Sequence, residues 1–186
     1  MQTIQYAAEI IKELNRTVAL IDEEAAEKFV DSILQSKKIF VAGAGRSRFM
    51  GQAFAMRLMH MGLEAYVVGE TITPNVEKGD LLIIGSGSGE TKSLVAIAEK
   101  AKSLDVSIAI VTIFPESTIG KLAHTVIKVP ASTPKAKSDS GYKSIQPMGS
   151  LFEQSLLLFF DAVIMRLMEK LRKDSDTMFC RHANLE

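Results

Sequence analysis

Two short apolar segments each run directly into a glycine-rich turn that is followed by a helical pattern. Residues 39–42 lead into the turn 43–47 (GAGRS), and residues 81–84 lead into the turn 85–91 (GSGSGET). The same alternation with helical or turn-rich stretches predicts further strands at 65–68, 108–113 and 126–129. It predicts an α/β fold with a doubly wound, mainly parallel five-stranded sheet and helices on both faces, in three layers.

Helical periodicity covers much of the remaining chain, and it predicts helices at 3–20, 22–35, 47–61 and 150–173, with another beginning at Glu90. The length of 186 residues and the apolar fraction of 47% suit one core, so we expect a single domain. Its predicted parts are the N-terminal helices 3–35, the sheet core 38–130, the loop 130–149 and the final helix 150–173.

The loop 130–149 interrupts the alternation. It contains three prolines, three lysines and several serines, with little apolar periodicity. Loops of this length in compact domains are often functional. We interpret it either as an active-site lid or as a surface loop without regular order.

The turn 85–91 has the composition of a phosphate-binding loop. Glycines let the backbone approach an anion closely, and the N–H groups at a helix start favour negative charge. Hydroxyl groups add further donors. An ordinary capped turn would have the same composition, and this alternative stays open. The first interpretation predicts ligand contacts from Ser86, Gly87, Ser88, Gly89, Glu90 and Thr91.

Charge and cysteine content limit the function classes. Lys plus Arg and Asp plus Glu both number 22, and no nucleic-acid-binding motif is present, so a nucleic-acid partner is not expected. No apolar stretch is long enough to span a bilayer, and no signal peptide is recognisable. Cys180 is the single cysteine, which excludes an internal disulfide and fits a cytoplasmic protein.

No metal or redox cofactor is expected. In the first turn, Arg48 stands where a dinucleotide-binding fingerprint requires a third glycine. The remaining candidate metal ligands show no short ligand spacing: they are His60, His124, His182 and Cys180.

Glu153 interrupts an apolar row of the final helix, one turn before Leu157. Apolar neighbours increase the basicity of a carboxylate, which suits proton transfer. Residues 150–153 (SLFE) also match the Ser-x-x-Glu capping box of helix starts. The pattern alone favours the cap, although one residue can serve in both ways.

Two helices carry more apolar surface than one chain needs. Helix 3–20 has a narrow apolar seam, which suits either a partner helix or the chain's own core. Helix 150–173 is apolar almost all round and needs cover on most sides. We therefore expect a closed homo-oligomer.

The two turns, the Phe152-Glu153 pair and the ending 181–186 (RHANLE) together resemble the sugar isomerase (SIS) domain family, in particular its 6-phospho-3-hexuloisomerase branch. The resemblance implies interconversion of 3-hexulose 6-phosphate and fructose 6-phosphate through a cis-enediol, without a cofactor. It also implies a homotetramer that works with 3-hexulose 6-phosphate synthase in formaldehyde fixation by the ribulose monophosphate pathway.

The resemblance further assigns roles to individual residues. Glu153 is the expected base, and Arg46 and Ser47 are expected to face the sugar and stabilise the enediolate. His60 is a candidate catalytic histidine, with a structural histidine as the alternative. His182 is a candidate substrate contact from a tail that either covers a neighbouring active site or frays.

Two other functions share the same phosphate loop. Another sugar-phosphate isomerase, acting on sedoheptulose 7-phosphate or arabinose 5-phosphate, would also share the base. A non-catalytic sugar-phosphate sensor would need a DNA-binding segment, for which residues 1–35 offer neither a basic surface nor a suitable turn.

Overall fold

The computed structural model describes residues 2–132 and 143–185, and its elements follow the predicted alternation of helices and strands. Along the chain they are α1 (Thr3–Val18), α2 (Glu23–Gln35), β1 (Ile39–Gly43), α3 (Arg46–His60), β2 (Ala65–Val67), β3 (Leu81–Gly85), α4 (Lys92–Ser103), β4 (Ser107–Thr112), α5 (Thr118–Leu122), β5 (Thr125–Lys128), α6 (Ser150–Leu171) and α7 (Ser175–Phe179).

The five strands form one sheet in the order β2-β1-β3-β4-β5, and every strand pair within the described residues is parallel. The chain moves outward from β1 to β2, then returns to place β3 on the other side of β1 and continues outward. The direction of winding therefore reverses between β1 and β3. Open α/β sheets bind ligands beside such a switch point, beyond the carboxyl ends of the strands. Both glycine-rich turns begin there.

Alternate residues of each strand face two separate cores. Val41 and Ile83 belong to the core that α2, α3 and α6 cover, whereas Ala42 and Ile84 belong to the core that α4 and α5 cover. All four side chains are buried. This arrangement confirms the predicted three-layer α/β fold, with a sheet that is parallel throughout its described strands.

Helix α1 divides its apolar seam between the chain's own core and the surface. Leu14 packs against the core together with Ile21, which follows the helix. Ile4, Ile11 and Val18 are exposed and lie seven residues apart, on one face of α1. The interpretation as packing on the chain's own core therefore applies to Leu14 and Ile21, whereas a partner helix over the exposed residues stays a prediction.

Helices α3 and α6 pack side by side and leave apolar side chains uncovered. Phe49 and Met56 on α3 are exposed, as are Leu158 and Met165 on α6. The rest of α6 is largely buried, as its all-round apolar pattern predicts. Among the described residues, no helix is long and apolar enough to cross a membrane.

Most predicted boundaries differ from the observed ones by one or two residues. Helix α4 begins at Lys92 rather than Glu90, because Thr91 has extended backbone angles and is the N-cap residue. Helix α6 ends at Leu171, where Arg172 adopts a left-handed conformation with φ of 52°. The loop predicted at 130–149, as a lid or as a surface loop without regular order, lies partly outside the described residues, which omit 133–142.

Candidate active site

Two glycines allow helices to begin close to the carboxyl ends of β1 and β3. Gly43 and Gly85 are partners in the register of these strands. A Cβ atom at Gly43 would lie 2.9 Å from the Cα of Arg48, and one at Gly85 would lie 2.9 Å from Cδ2 of Leu156. A larger residue at position 43 would clash with the backbone of α3, whereas one at position 85 would require the side chain of Leu156 to shift.

Residues 86–91 form a loop whose internal hydrogen bonds orient its hydroxyl groups. The backbone N–H of Gly89 donates to Ser86 Oγ, and that of Glu90 donates to Ser88 Oγ, both at 3.2 Å. Thr91 makes no side-chain capping bond, so its hydroxyl leaves the first turn of α4 uncapped. The N–H groups of that turn have no intrahelical acceptor. Such a turn, flanked by hydroxyls, suits an anion.

Glu90 supports this loop through its carboxylate. Its carboxylate accepts hydrogen bonds from the backbone N–H and Oγ1 of Thr118, at 2.7 and 2.8 Å. The N–H bond and then the hydroxyl bond hold the pKa of Glu90 below its ordinary value. The carboxylate thus ties the loop to α5, and the predicted ligand contact of Glu90 stays a prediction.

Thr112 at the end of β4 and Ser117 beyond it provide further support that sequence reasoning missed. Thr112 Oγ1 donates to the carbonyl oxygen of Gly87 at 3.2 Å. Ser117 lies against Gly89, where an added Cβ would come within 1.9 Å of Ser117 Oγ. The strand order explains their position, because β4 is the neighbour of β3 and the residues at its carboxyl end lie beside the loop 86–91. No local motif in the sequence indicates these contacts.

Glu153 lies opposite Arg46, at the N-terminal ends of α6 and α3. Its Oε2 is 2.6 Å from Nε of Arg46, and the two side chains are 16% and 60% exposed. Glu153 Oε2 is itself buried and has no hydrogen bond of good geometry from the described residues. A buried polar atom left in this state in a native fold calls for a functional explanation.

The capping box predicted at 150–153 is wrong. Gly149 is the N-cap residue of α6, no side chain caps the helix, and Ser150 is its first helical residue. The carboxylate of Glu153 turns instead toward Arg46. The sequence matches the Ser-x-x-Glu pattern, but the ion pair with Arg46 directs the side chain of Glu153 away from the cap.

The loop 86–91 and the Glu153–Arg46 pair lie at one place on the sheet edge. Phe152 provides the link, because a Cβ at Gly87 would lie 3.2 Å from Cδ1 of Phe152. Ser47 is the second residue of α3 and is buried. The structure thus brings together Arg46, Ser47, Glu153 and the loop 86–91.

His60 and His182 lie at the other end of α3. The helix has 15 residues, so a rise of about 1.5 Å per residue puts His60 roughly 21 Å from Arg46. The imidazole of His60 is 5% exposed and stacks on His182, with ring centroids 5.5 Å apart. Burial, and then the charges of Arg57 and His182, lower the pKa of His60. Within one chain, neither histidine reaches Glu153.

The model of the SIS domain family matches residues 32–158, which include both glycine-rich turns and Glu153. The chain belongs to the SIS-domain family. This membership confirms the resemblance seen in the sequence. Among the described residues of this SIS-domain protein, no group of three or more His, Cys, Asp or Glu side chains could hold a metal ion.

Named relatives align with this SIS-domain protein along nearly its whole length. The 3-hexulose-6-phosphate isomerase of Bacillus subtilis is 60% identical over 186 residues, covering 100% of both chains. That of Mycobacterium gastri is 42% identical, covering 94% of this chain and 86% of its own. A solved structure from Methanococcus jannaschii, for which the function of 3-hexulose-6-phosphate isomerase has been inferred, is 36% identical with a TM-score of 0.82, covering 97% of each chain.

Proposed function

We propose that this SIS-domain protein is a 3-hexulose-6-phosphate isomerase, which interconverts 3-hexulose 6-phosphate and fructose 6-phosphate. The full-length relative of that name, 60% identical, supports the substrate. The observation that carries the chemistry is the ion pair between Glu153 and Arg46 beside an uncapped, hydroxyl-rich helix start. This arrangement combines a phosphate site, a base and a cation at one edge of the sheet.

In this proposal the loop 86–91 binds the phosphate group, which takes no part in the reaction. Backbone N–H groups of the first turn of α4 and the hydroxyls of Ser86, Ser88 and Thr91 donate to the phosphate oxygens. Holding this end fixes the distance from the phosphate to C2 and C3, so that both carbons are presented to the same base.

Glu153 carries the proton between the two carbons. The carboxylate takes the proton from C2 of 3-hexulose 6-phosphate, and the electrons of that C–H bond form the C2=C3 double bond of a cis-enediol. The π electrons of the C3 carbonyl move onto the C3 oxygen, which takes up the proton that leaves the C2 hydroxyl. The C2 oxygen then forms the new carbonyl, and Glu153 returns its proton to C3. Arg46, and Ser47 beside it, stabilise the negative charge that develops on the C2 and C3 oxygens.

A coupled assay tests this activity. Purified 3-hexulose 6-phosphate synthase, formaldehyde and ribulose 5-phosphate supply the substrate, and fructose 6-phosphate is measured. We expect formation of fructose 6-phosphate that depends on the protein, and no reaction with sedoheptulose 7-phosphate or arabinose 5-phosphate. Isomerisation of either alternative sugar, with none of the hexulose, would reject the proposal. We assign this reaction to the step that follows formaldehyde fixation in the ribulose monophosphate pathway, and we place the protein in the cytoplasm.

We further propose that His60 and His182 act in the active site of a neighbouring subunit of a homotetramer. Both histidines lie too far from Arg46 along α3 to contact a substrate in the site of their own chain. They would therefore contact a substrate bound to a partner chain. The exposed apolar residues of α1, α3 and α6 supply a surface for such a partner. The stack of His60 on His182 gives the tail a fixed position at the end of α3.

Mixed oligomers test this arrangement. The variants Glu153→Gln and His60→Ala are each expected to be inactive alone. Co-expressed and purified as mixed oligomers, they should recover activity, to roughly a quarter of wild type if subunits mix at random. The matched control is a mixture of Glu153→Gln with Arg46→Ala. Arg46 and Glu153 belong to the site of the same chain, so every site in this mixture keeps one defect and no activity should be recovered. Full activity of His60→Ala alone, or no recovery in the first mixture, would contradict a shared site.

A further inference from the structure

Glu13 is a buried carboxylate on α1 that has no part in the mechanism above. Its side chain is 6% exposed. Oε1 accepts a hydrogen bond from the backbone N–H of Ile145 at 2.8 Å. Oε2 accepts from Ser144 Oγ at 2.7 Å and from Gln146 Nε2 at 3.0 Å. One side chain near the start of the chain thus binds three consecutive residues more than 130 positions later.

These contacts suit a carboxylate. All three partners donate to it in the structure, and a carboxylate accepts all three bonds without any rearrangement of the partners. Burial acts to raise the pKa of Glu13, but the bonds from Gln146, Ser144 and Ile145 and the charge of Arg16 outweigh it and lower the pKa. The charged form is therefore the one that holds the segment.

The segment that Glu13 holds leads directly to the proposed base. Ser150 donates its backbone N–H to the carbonyl oxygen of Pro147 at 3.1 Å. Met148 is fixed in a left-handed conformation with φ of 54°. Gly149 is the N-cap residue of α6, and a Cβ built on it would lie 3.4 Å from Oε1 of Glu153. Residues 144–149 therefore connect the carboxylate of Glu13 to that of Glu153.

We propose that Glu13 is a positioning residue for the isomerisation, which fixes residues 144–149 so that Gly149 packs against the carboxylate of Glu153. The proposal rests on the proposed function, because it assigns Glu13 an effect through the base. Glu13 touches no substrate. It links α1, the helix with an exposed apolar seam, to the reacting end of α6.

The test compares Glu13→Gln with Glu9→Gln, which makes the same chemical change one turn earlier, at an exposed surface ion pair with Lys12. We expect Glu13→Gln to lower kcat roughly 10–100-fold, as a misplaced base does, with KM within threefold of wild type. Glu9→Gln should match wild type. In a protein that already carries Glu153→Gln, adding Glu13→Gln should cause no further loss of kcat, because Glu13 then has no base to position.

Each other outcome has a defined meaning. Wild-type kcat in a folded Glu13→Gln protein would overturn the inference, and so would an equal loss in the Glu153→Gln background. If Glu13→Gln does not fold, Ser144→Ala decides. It removes one of the three bonds to Glu13, together with the bond that Ser144 Oγ accepts from the backbone N–H of Gln146, and it leaves the carboxylate paired. A lower kcat at an unchanged melting temperature supports the inference, and an unchanged kcat overturns it. An inactive wild-type protein would instead reject the proposed function, so the two failures are distinct.

Discussion

Replacing Glu153 by glutamine is expected to lower kcat about 10²–10⁴-fold, the range that a positioned acid-base group contributes. The amide has nearly the same size and can still contact Arg46, so substrate binding should remain and KM should change less than kcat. Steady-state kinetics in the coupled assay measure both constants. The reason is specific to the site, because Glu153 supplies the buried carboxylate oxygen that lacks a hydrogen bond.

Glu169→Gln is the matched control for this substitution. Glu169 lies on the same helix, pairs with Arg166 and is well exposed, so the same chemical change should have little effect there. Near-normal turnover of Glu153→Gln would remove Glu153 as the base. An equal loss of kcat in both variants would show that the effect comes from the charge of α6 rather than from the base.

Replacing Gly89 by alanine is expected to raise KM at least tenfold, because it distorts the phosphate loop. Gly89 has φ of +61°, and the new Cβ would lie 1.9 Å from Ser117 Oγ and 2.5 Å from its Cβ. The loop cannot keep its shape around that contact. A charge-assisted hydrogen bond contributes about 1.5–3 kcal/mol, so losing one or two to the phosphate accounts for the change.

Gly69→Ala is the control that separates the effect of the contact with Ser117 from the effect of backbone strain. Gly69 also has a positive φ, +88°, but nothing lies within 4 Å of the Cβ position. Both variants bear the penalty of a left-handed alanine, while Gly89→Ala alone disturbs the loop. We expect Gly69→Ala to lose stability without a change in KM. If KM rises equally in both, or stays normal in Gly89→Ala, the loop 86–91 does not bind the phosphate.

The parts of the fold that depend on local patterns were predictable from the sequence. Apolar segments that end in glycine place β1 and β3, and the strand-helix alternation gives a parallel sheet whose switch point holds both turns. The family resemblance was specific for the same reason, because residues 43–47 and 86–91 are local motifs with fixed spacing.

What the sequence could not give depends on contacts between distant residues. The Ser-x-x-Glu pattern at 150–153 predicted a cap, but the ion pair with Arg46 redirects Glu153. Glu90 belongs to the loop, yet Thr118 binds its carboxylate. The three donors to Glu13 lie more than 130 residues further along the chain. None of these partners follows from a short motif.

The central claim is that Glu153 moves a proton between C2 and C3 of a hexulose phosphate. Proton NMR of fructose 6-phosphate in heavy water tests it most directly, because reversal of the reaction removes the C3 proton and returns deuterium from solvent. The account predicts that the C3 proton signal disappears with the wild-type protein, persists with Glu153→Gln, and that the C1 protons are retained in both. Loss of a C1 proton, or loss of the C3 proton at the same rate with Glu153→Gln, would contradict it.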